Sequence, residues 1–120
     1  MSRRLISPKI VRDNIPSFAK DSNKHIAFET MADKEFYIAL KDKLVEESKE
    51  LQAANSTEHE AEELADIFEV VDRLVQLLGK SIGQNHMSAR KQIEKIQKDK
   101  RSYKGGFDKN LFMYSTAIIS

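Results

Sequence analysis

The feature that most constrains the fold of this sequence is a set of acidic residues on the apolar sides of two helical segments. At about 100° per residue, Glu47 falls in the middle of the apolar stripe of the first segment and Glu50 falls at its edge. In the second segment, Glu63 falls within the apolar arc and Asp66 falls at its margin. Burying an ionised carboxylate costs several kcal/mol unless it is paired or bound to a metal ion. The chain is therefore expected to fold so that these acids meet a cation.

Three helices account for the periodic part of the chain, with predicted ranges of about 33–54, 57–79 and 85–103. Asp33 is the expected N-cap of the first helix, Thr57 opens a capping-box sequence at the start of the second, and Gly79 is its expected C-cap. Because only Asn55 and Ser56 separate the first two helices, we expect these helices to lie antiparallel. The remaining ends are predicted to be irregular, with short strands at 25–28 and 111–114.

Length and composition indicate a single domain that covers residues 1–120. A chain that is 40% hydrophobic and 32% charged can build a core and remain soluble. No segment approaches the about 20 consecutive apolar residues of a membrane span, and the basic N-terminus lacks the apolar stretch of a secretory signal. The absence of cysteine excludes a disulfide scaffold, a thiolate zinc site and a cysteine nucleophile. We expect a cytoplasmic, all-α protein with short irregular or strand-like termini and no membrane partner.

The apolar arc of the second helix is wider than one neighbouring helix can cover. Nine apolar residues between Leu64 and Leu78 occupy about half of the helical wheel. In a subunit of three helices, such an arc indicates burial on more than one side. We therefore predict an antiparallel helical bundle whose four-helix core is completed by homo-oligomerisation, as a homodimer or a dimer of dimers.

Charge is strongly segregated along the chain although its net charge is only +1. Residues 46–72 carry ten acids and one base, whereas residues 73–120 carry ten bases and three acids. This pattern suggests a site that gathers cations beside a basic flank that contacts phosphate, and the alternative is two solvated helix faces of opposite sign. The balanced total and the scarcity of aromatic residues in the basic third helix make nucleic-acid binding the less favoured function.

The antiparallel packing of the two helices would bring Glu47, Glu50, Glu63 and Asp66 together. These carboxylates would repel one another strongly unless a cation lay among them. Oxygen ligands with a combined charge of −4 favour a hard divalent ion, Mg²⁺ or alternatively Mn²⁺, over zinc. The alternative interpretation is that salt bridges to Lys43 or Lys49 neutralise these acids. His59 is expected to be a surface residue and not a ligand.

Three motifs resemble the MazG-like, all-α nucleoside triphosphate pyrophosphohydrolases, a superfamily that includes phosphoribosyl-ATP pyrophosphohydrolase-like proteins. The first is EESKE at 46–50 followed, after twelve residues, by ELAD at 63–66, which is similar to the signature EExxE…ExxD. The second is KIVRDNIP at 9–16, which resembles a K-L-V-R-D-K-I-P opening, with Asn14 in place of the usual Lys. The third is KRSYKGGF at 100–107, which resembles a closing K-x-x-x-[RK]-G-G-F. Together the motifs span most of the chain in the order that the superfamily has them.

The resemblance implies Mg²⁺-dependent attack of water at the α–β linkage of a nucleoside triphosphate, which releases a monophosphate and pyrophosphate. It implies four metal ligands, Glu47, Glu50, Glu63 and Asp66, and catalytic roles for Glu46 and Glu47, with Glu46 orienting or deprotonating the water. It implies substrate contacts by residues of the opening and closing motifs, namely Arg12, Asp13, Lys100 and Lys104. A metal-stabilised helical interaction or regulatory module without catalytic activity is the alternative that the sequence leaves open.

Overall fold

The computed structural model of the chain describes residues 8–20 and 26–114. In these ranges the chain forms four helices and no strand: α1 (Ile15–Ala19), α2 (Asp33–Ala53), α3 (Thr57–Ser81) and α4 (His86–Lys104). The all-α prediction is therefore confirmed. The two predicted strands are wrong where they can be checked, because residues 26–28 and 111–114 have no regular structure. Residue 25 lies outside the described ranges.

The short helix α1 was not predicted from the sequence, and α2 and α3 each begin at a cap other than the expected one. Pro16 lies in the first turn of α1, where its missing N–H group costs nothing. The N-cap of α2 is Ala32, and Asp33 is the first helical residue. At α3 the N-cap is Ser56, whose hydroxyl accepts a hydrogen bond from the backbone N–H of His59 at 3.1 Å. The predicted caps were each one residue too late.

Gly79 does not end α3, which continues to Ser81, so its prediction as a C-cap is wrong. The glycine is buried where α3 meets α4, and a Cβ atom placed on it would lie 2.6 Å from the Cβ atom of Ala89. A residue larger than glycine would not fit at this position, because α3 and α4 approach each other too closely. The chain turns two residues beyond the helix, where Gly83 has a φ of +75°.

Contacts at both ends of the α2–α3 pair show that the two helices are antiparallel, as predicted. Near one end, Lys80 of α3 pairs with Asp33 of α2 at 2.5 Å. Near the other end, Glu47 of α2 lies beside Glu63 of α3. Between these contacts, Leu40, Val70 and Leu77 form a buried core, against which half-buried apolar side chains pack from α2, α3 and the segment before α1: Ile10, Phe36, Tyr37, Leu44 and Leu74.

Helix α4 packs on α3 through its first half only. Ala89 is its only buried residue in the described chain, and every residue from 94 to 104 is exposed. An ion pair between Arg90 and Asp72 at 3.0 Å joins the two helices beside the Gly79–Ala89 contact. The molecule is accordingly elongated, with principal extents of 71 × 40 × 29 Å.

Much apolar surface of the chain remains uncovered. On α3, Phe68 is 71% exposed, and Leu64, Val71 and Leu78 are each exposed by 40% or more. The apolar side of α3 is therefore only partly covered by its neighbours in the described chain.

Candidate metal centre

Three carboxylates meet where α2 crosses the first half of α3. Glu47 is 5% exposed and Glu63 is 8% exposed, so the prediction that both side chains point inward is confirmed. Asp66, one turn beyond Glu63, is half-buried. Each residue offers one carboxylate oxygen, and the three oxygens lie within 4.8 Å of one another. We call Glu47, Glu63 and Asp66 the carboxylate cluster.

Glu46 and Glu50 lie beside the cluster on the exposed side of α2. They form a second group with Glu47, and one oxygen from each of the three residues lies within 4.8 Å of the others. Glu50 is also close enough to Glu63 to raise the pKa of that residue. The structure thus brings together the four acids that the sequence singled out as metal ligands, with two of them buried and Glu50 at the rim.

One basic side chain contacts each carboxylate of the cluster. The Nζ atom of Lys43 lies 3.3 Å from Glu47 Oε1, as the salt-bridge interpretation of the sequence predicted for Lys43. Lys49, the other candidate in that interpretation, forms no ion pair within the described chain. The ion pair with Lys43 neutralises part of the charge of the cluster.

The other two basic contacts were missed at the sequence level. The Nε2 atom of His59 lies 3.4 Å from Glu63 Oε1, although His59 is exposed as predicted. A terminal nitrogen of Arg12 lies 2.6 Å from Asp66 Oδ1. The spacing of four residues between His59 and Glu63 is a signal that the sequence contained. Nothing in the spacing of Arg12 and Asp66, 54 residues apart, pointed to their contact.

The basic partners do not satisfy the two buried carboxylates. The second oxygens, Glu47 Oε2 and Glu63 Oε2, are buried and have no hydrogen-bond partner in the described part of the molecule. A buried acceptor without a partner loses its hydration without compensation, and the loss is greater for a charged group. Two such oxygens at one helix crossing indicate that the cluster is built for an additional cationic or protonated partner.

The proximity of the carboxylates changes their affinity for protons. A hydrogen bond with Glu47, together with burial and the nearby charge of Glu50, raises the pKa of Glu63 to about 7. Burial alone would raise the pKa of Glu47, but hydrogen bonds with Glu63, Lys43 and Glu50 outweigh it and lower that pKa. The two shifts have one cause, because carboxylates that face each other share a single proton.

A divalent cation fits the residues present. The donor set consists of oxygen atoms, which Mg²⁺ and Mn²⁺ prefer. Ligands around Mg²⁺ at about 2.1 Å lie about 3–4 Å apart, a spacing compatible with oxygens that lie within 4.8 Å of one another. An ion would give the unpartnered oxygens of Glu47 and Glu63 a partner and remove the need for the shared proton.

The remaining predicted substrate contacts form no hydrogen bond or ion pair with the cluster in the described chain. Lys100 and Lys104 are exposed on the second half of α4, and Asp13 is exposed before α1. None of these three side chains forms a hydrogen bond or ion pair with a described residue. Gly105 follows Lys104 as the C-cap of α4, with a φ of +85°, so α4 ends at the glycine pair of the closing motif.

In comparisons with known proteins, no family model, no curated protein and no solved structure matches this chain. None of the helices in the described ranges is long and apolar enough to cross a membrane.

We predict that the stability of the metal-free protein falls as pH rises through neutrality. The pKa of Glu63 is raised from 4.5 to about 7. Its contribution to the free energy of unfolding is therefore present in full below about pH 4.5 and is lost as pH rises through 7. The pKa of Glu47 is lowered, so the contribution of Glu47 to the free energy of unfolding is lost only in acid, below its ordinary pKa of 4.5. Urea unfolding in the presence of a chelator, between about pH 5 and 8, measures the effect.

The substitution Glu63→Gln should flatten this dependence of stability on pH. The substitution Glu62→Gln, at an exposed neighbouring residue, should leave it unchanged. Parallel pH profiles for wild type and Glu63→Gln would contradict the raised pKa.

Proposed function

We propose that this protein is a Mg²⁺-dependent nucleoside triphosphate pyrophosphohydrolase that acts on nucleotides in the cytoplasm. The observation that carries the proposal is a pair of buried oxygens on Glu47 and Glu63 that have no hydrogen-bond partner among the described residues. The two side chains face each other across two antiparallel helices. Asp66 and Glu50 add carboxylates at the same place. The resemblance of the acid, opening and closing motifs to the MazG-like superfamily supports the same reaction.

The proposed roles follow from the positions of the acids. Glu47, Glu63 and Asp66, with Glu50 at the rim, would hold Mg²⁺, which when bound supplies charge neutralisation for the phosphates. Glu46 lies beside Glu47, with its side chain 49% exposed, and is proposed to orient the attacking water and take its proton. The water oxygen bonds to the α-phosphorus, the bond to the bridging oxygen breaks, and pyrophosphate leaves from the nucleoside monophosphate.

Specific contacts also favour the second candidate, a metal-stabilised helical module without catalysis. Arg12, Lys43 and His59 already contact the carboxylate cluster, and Lys100 and Lys104 form no ion pair with it within the described chain. Nucleic-acid binding by α4 gains less support, because several of its bases pair with acids nearby in the sequence, as Lys95 does with Asp99 at 2.8 Å. An assay of products separates the first two candidates.

We predict that the wild-type protein and Mg²⁺ convert (d)NTPs to nucleoside monophosphate and pyrophosphate in equal amounts. Glu63→Gln should reduce the rate by about 10³-fold or more, because it removes a charged ligand from the metal site. Glu62→Gln, at the exposed position next to it, is the matched control and should retain the wild-type rate. Product analysis by ion-exchange chromatography measures both. Release of diphosphate and orthophosphate, or equal rates for the two variants, would contradict the proposal.

We also propose that a second copy of the chain covers the exposed apolar side of α3 and completes a four-helix core. On that side, Phe68 is 71% exposed, and Leu64, Val71 and Leu78 are each exposed by 40% or more. A monomer seldom leaves so wide an apolar face in contact with water, and a second copy of the chain would cover it.

We predict that wild-type protein has a mass of about twice 13.8 kDa, or a higher even multiple, in multi-angle light scattering. Phe68→Glu places a charge at the centre of the exposed α3 surface and should dissociate the oligomer or shift its dissociation constant by at least about 100-fold. Gln52→Glu adds the same charge at an exposed position of α2 and serves as the control. A monomeric wild type, or equal masses for the two variants, would contradict this interface.

A further inference from the structure

Within the described chain, three basic residues contact the carboxylate cluster. Arg12 is the only one of them that does not lie on the same helix as the acid it contacts. Lys43 and His59 each lie four residues before the acid that they contact. Arg12 lies just before α1, in a segment whose Ile10 packs against the core. Its contact with Asp66, at 2.6 Å, is shorter than the Lys43 and His59 contacts with the cluster.

The contact occupies the accessible side of the cluster. The side chain of Arg12 is 61% exposed and that of Asp66 is 38% exposed, whereas Glu47 and Glu63 are buried. Asp66 is therefore the member of the cluster that a cation from solvent meets first. In the structure, a guanidinium group already holds one of its two oxygens.

A guanidinium group and a divalent ion on one carboxylate would repel each other. Both are cationic, Asp66 provides a single negative charge, and the described chain places no further acid in contact with Arg12. A phosphate group offers Arg12 an alternative partner, because the planar guanidinium donates two parallel hydrogen bonds to phosphate as well as to carboxylate. Its exposure leaves the side chain free to turn toward solvent.

We propose that Arg12 competes with the divalent ion for Asp66 and, once displaced, binds a phosphate group of the nucleotide. The inference rests on the proposed function, since it takes the carboxylate cluster to be the metal site. It adds a coupling between the two ligands: metal binding releases Arg12 for phosphate, and phosphate draws Arg12 away from Asp66. Binding of either ligand therefore strengthens binding of the other, by the same factor in both directions.

The competition is tested by titrating the full-length chain with Mn²⁺ in a calorimeter, without nucleotide. Arg12→Gln should bind Mn²⁺ about fivefold to tenfold more tightly than wild type, the change expected for the loss of one competing ion pair. Lys9→Gln removes a positive charge from the same segment at an exposed residue without an ion pair in the described chain. This control should stay within about twofold of wild type.

The phosphate contact is tested by titrating tripolyphosphate into each protein at saturating Mn²⁺. Arg12→Gln should bind the anion at least about fivefold more weakly than wild type and Lys9→Gln. If wild type binds Mn²⁺ but Arg12→Gln binds it equally or more weakly, Arg12 positions Asp66 and the competition is refuted. Equal tripolyphosphate affinities would refute the phosphate contact. A wild type that binds no Mn²⁺ would overturn the metal site and this inference together.

Discussion

The close approach of two buried carboxylates is the constraint on which the rest of this structure depends. Glu47 and Glu63 face each other across the α2–α3 crossing, each with one oxygen that has no hydrogen-bond partner in the described chain. Hydrophobic burial of Leu40, Val70 and Leu77 holds the helices together and so holds the acids together as well. The fold therefore uses stability from its core to maintain a site with a high affinity for positive charge.

The surroundings of the cluster show how the chain tolerates this arrangement without a metal ion. Lys43 and His59 neutralise part of the charge from within the two helices, Arg12 does so from outside them, and the pKa of Glu63 is raised to about 7. Each of these partners satisfies one oxygen or one charge, and none satisfies the whole cluster. A divalent ion would do so at once, and this is the basis of the proposed metal site.

Local periodicity allowed the buried acids to be predicted from the sequence, and longer-range features escaped it. The side of a helix on which Glu47 or Glu63 falls is fixed by residues within two turns. Gly79 was taken for a helix end because its role depends on Ala89, which another helix supplies. The pairing of Arg12 with Asp66 joins residues 54 positions apart, and only the folded chain reveals it. Lys100 and Lys104 stay predictions, because helical spacing indicates a shared face without indicating what that face meets.

The most direct test of the account is a crystal structure of the full-length protein grown with Mn²⁺, with diffraction measured at the manganese absorption edge. We expect an anomalous peak between the carboxylates of Glu47, Glu63 and Asp66, with metal–oxygen distances of about 2.2 Å. In that structure the guanidinium group of Arg12 should have left Asp66. An absence of anomalous density at the helix crossing, with Lys43, His59 and Arg12 still paired to the three acids, would contradict the metal site and the proposed enzyme function.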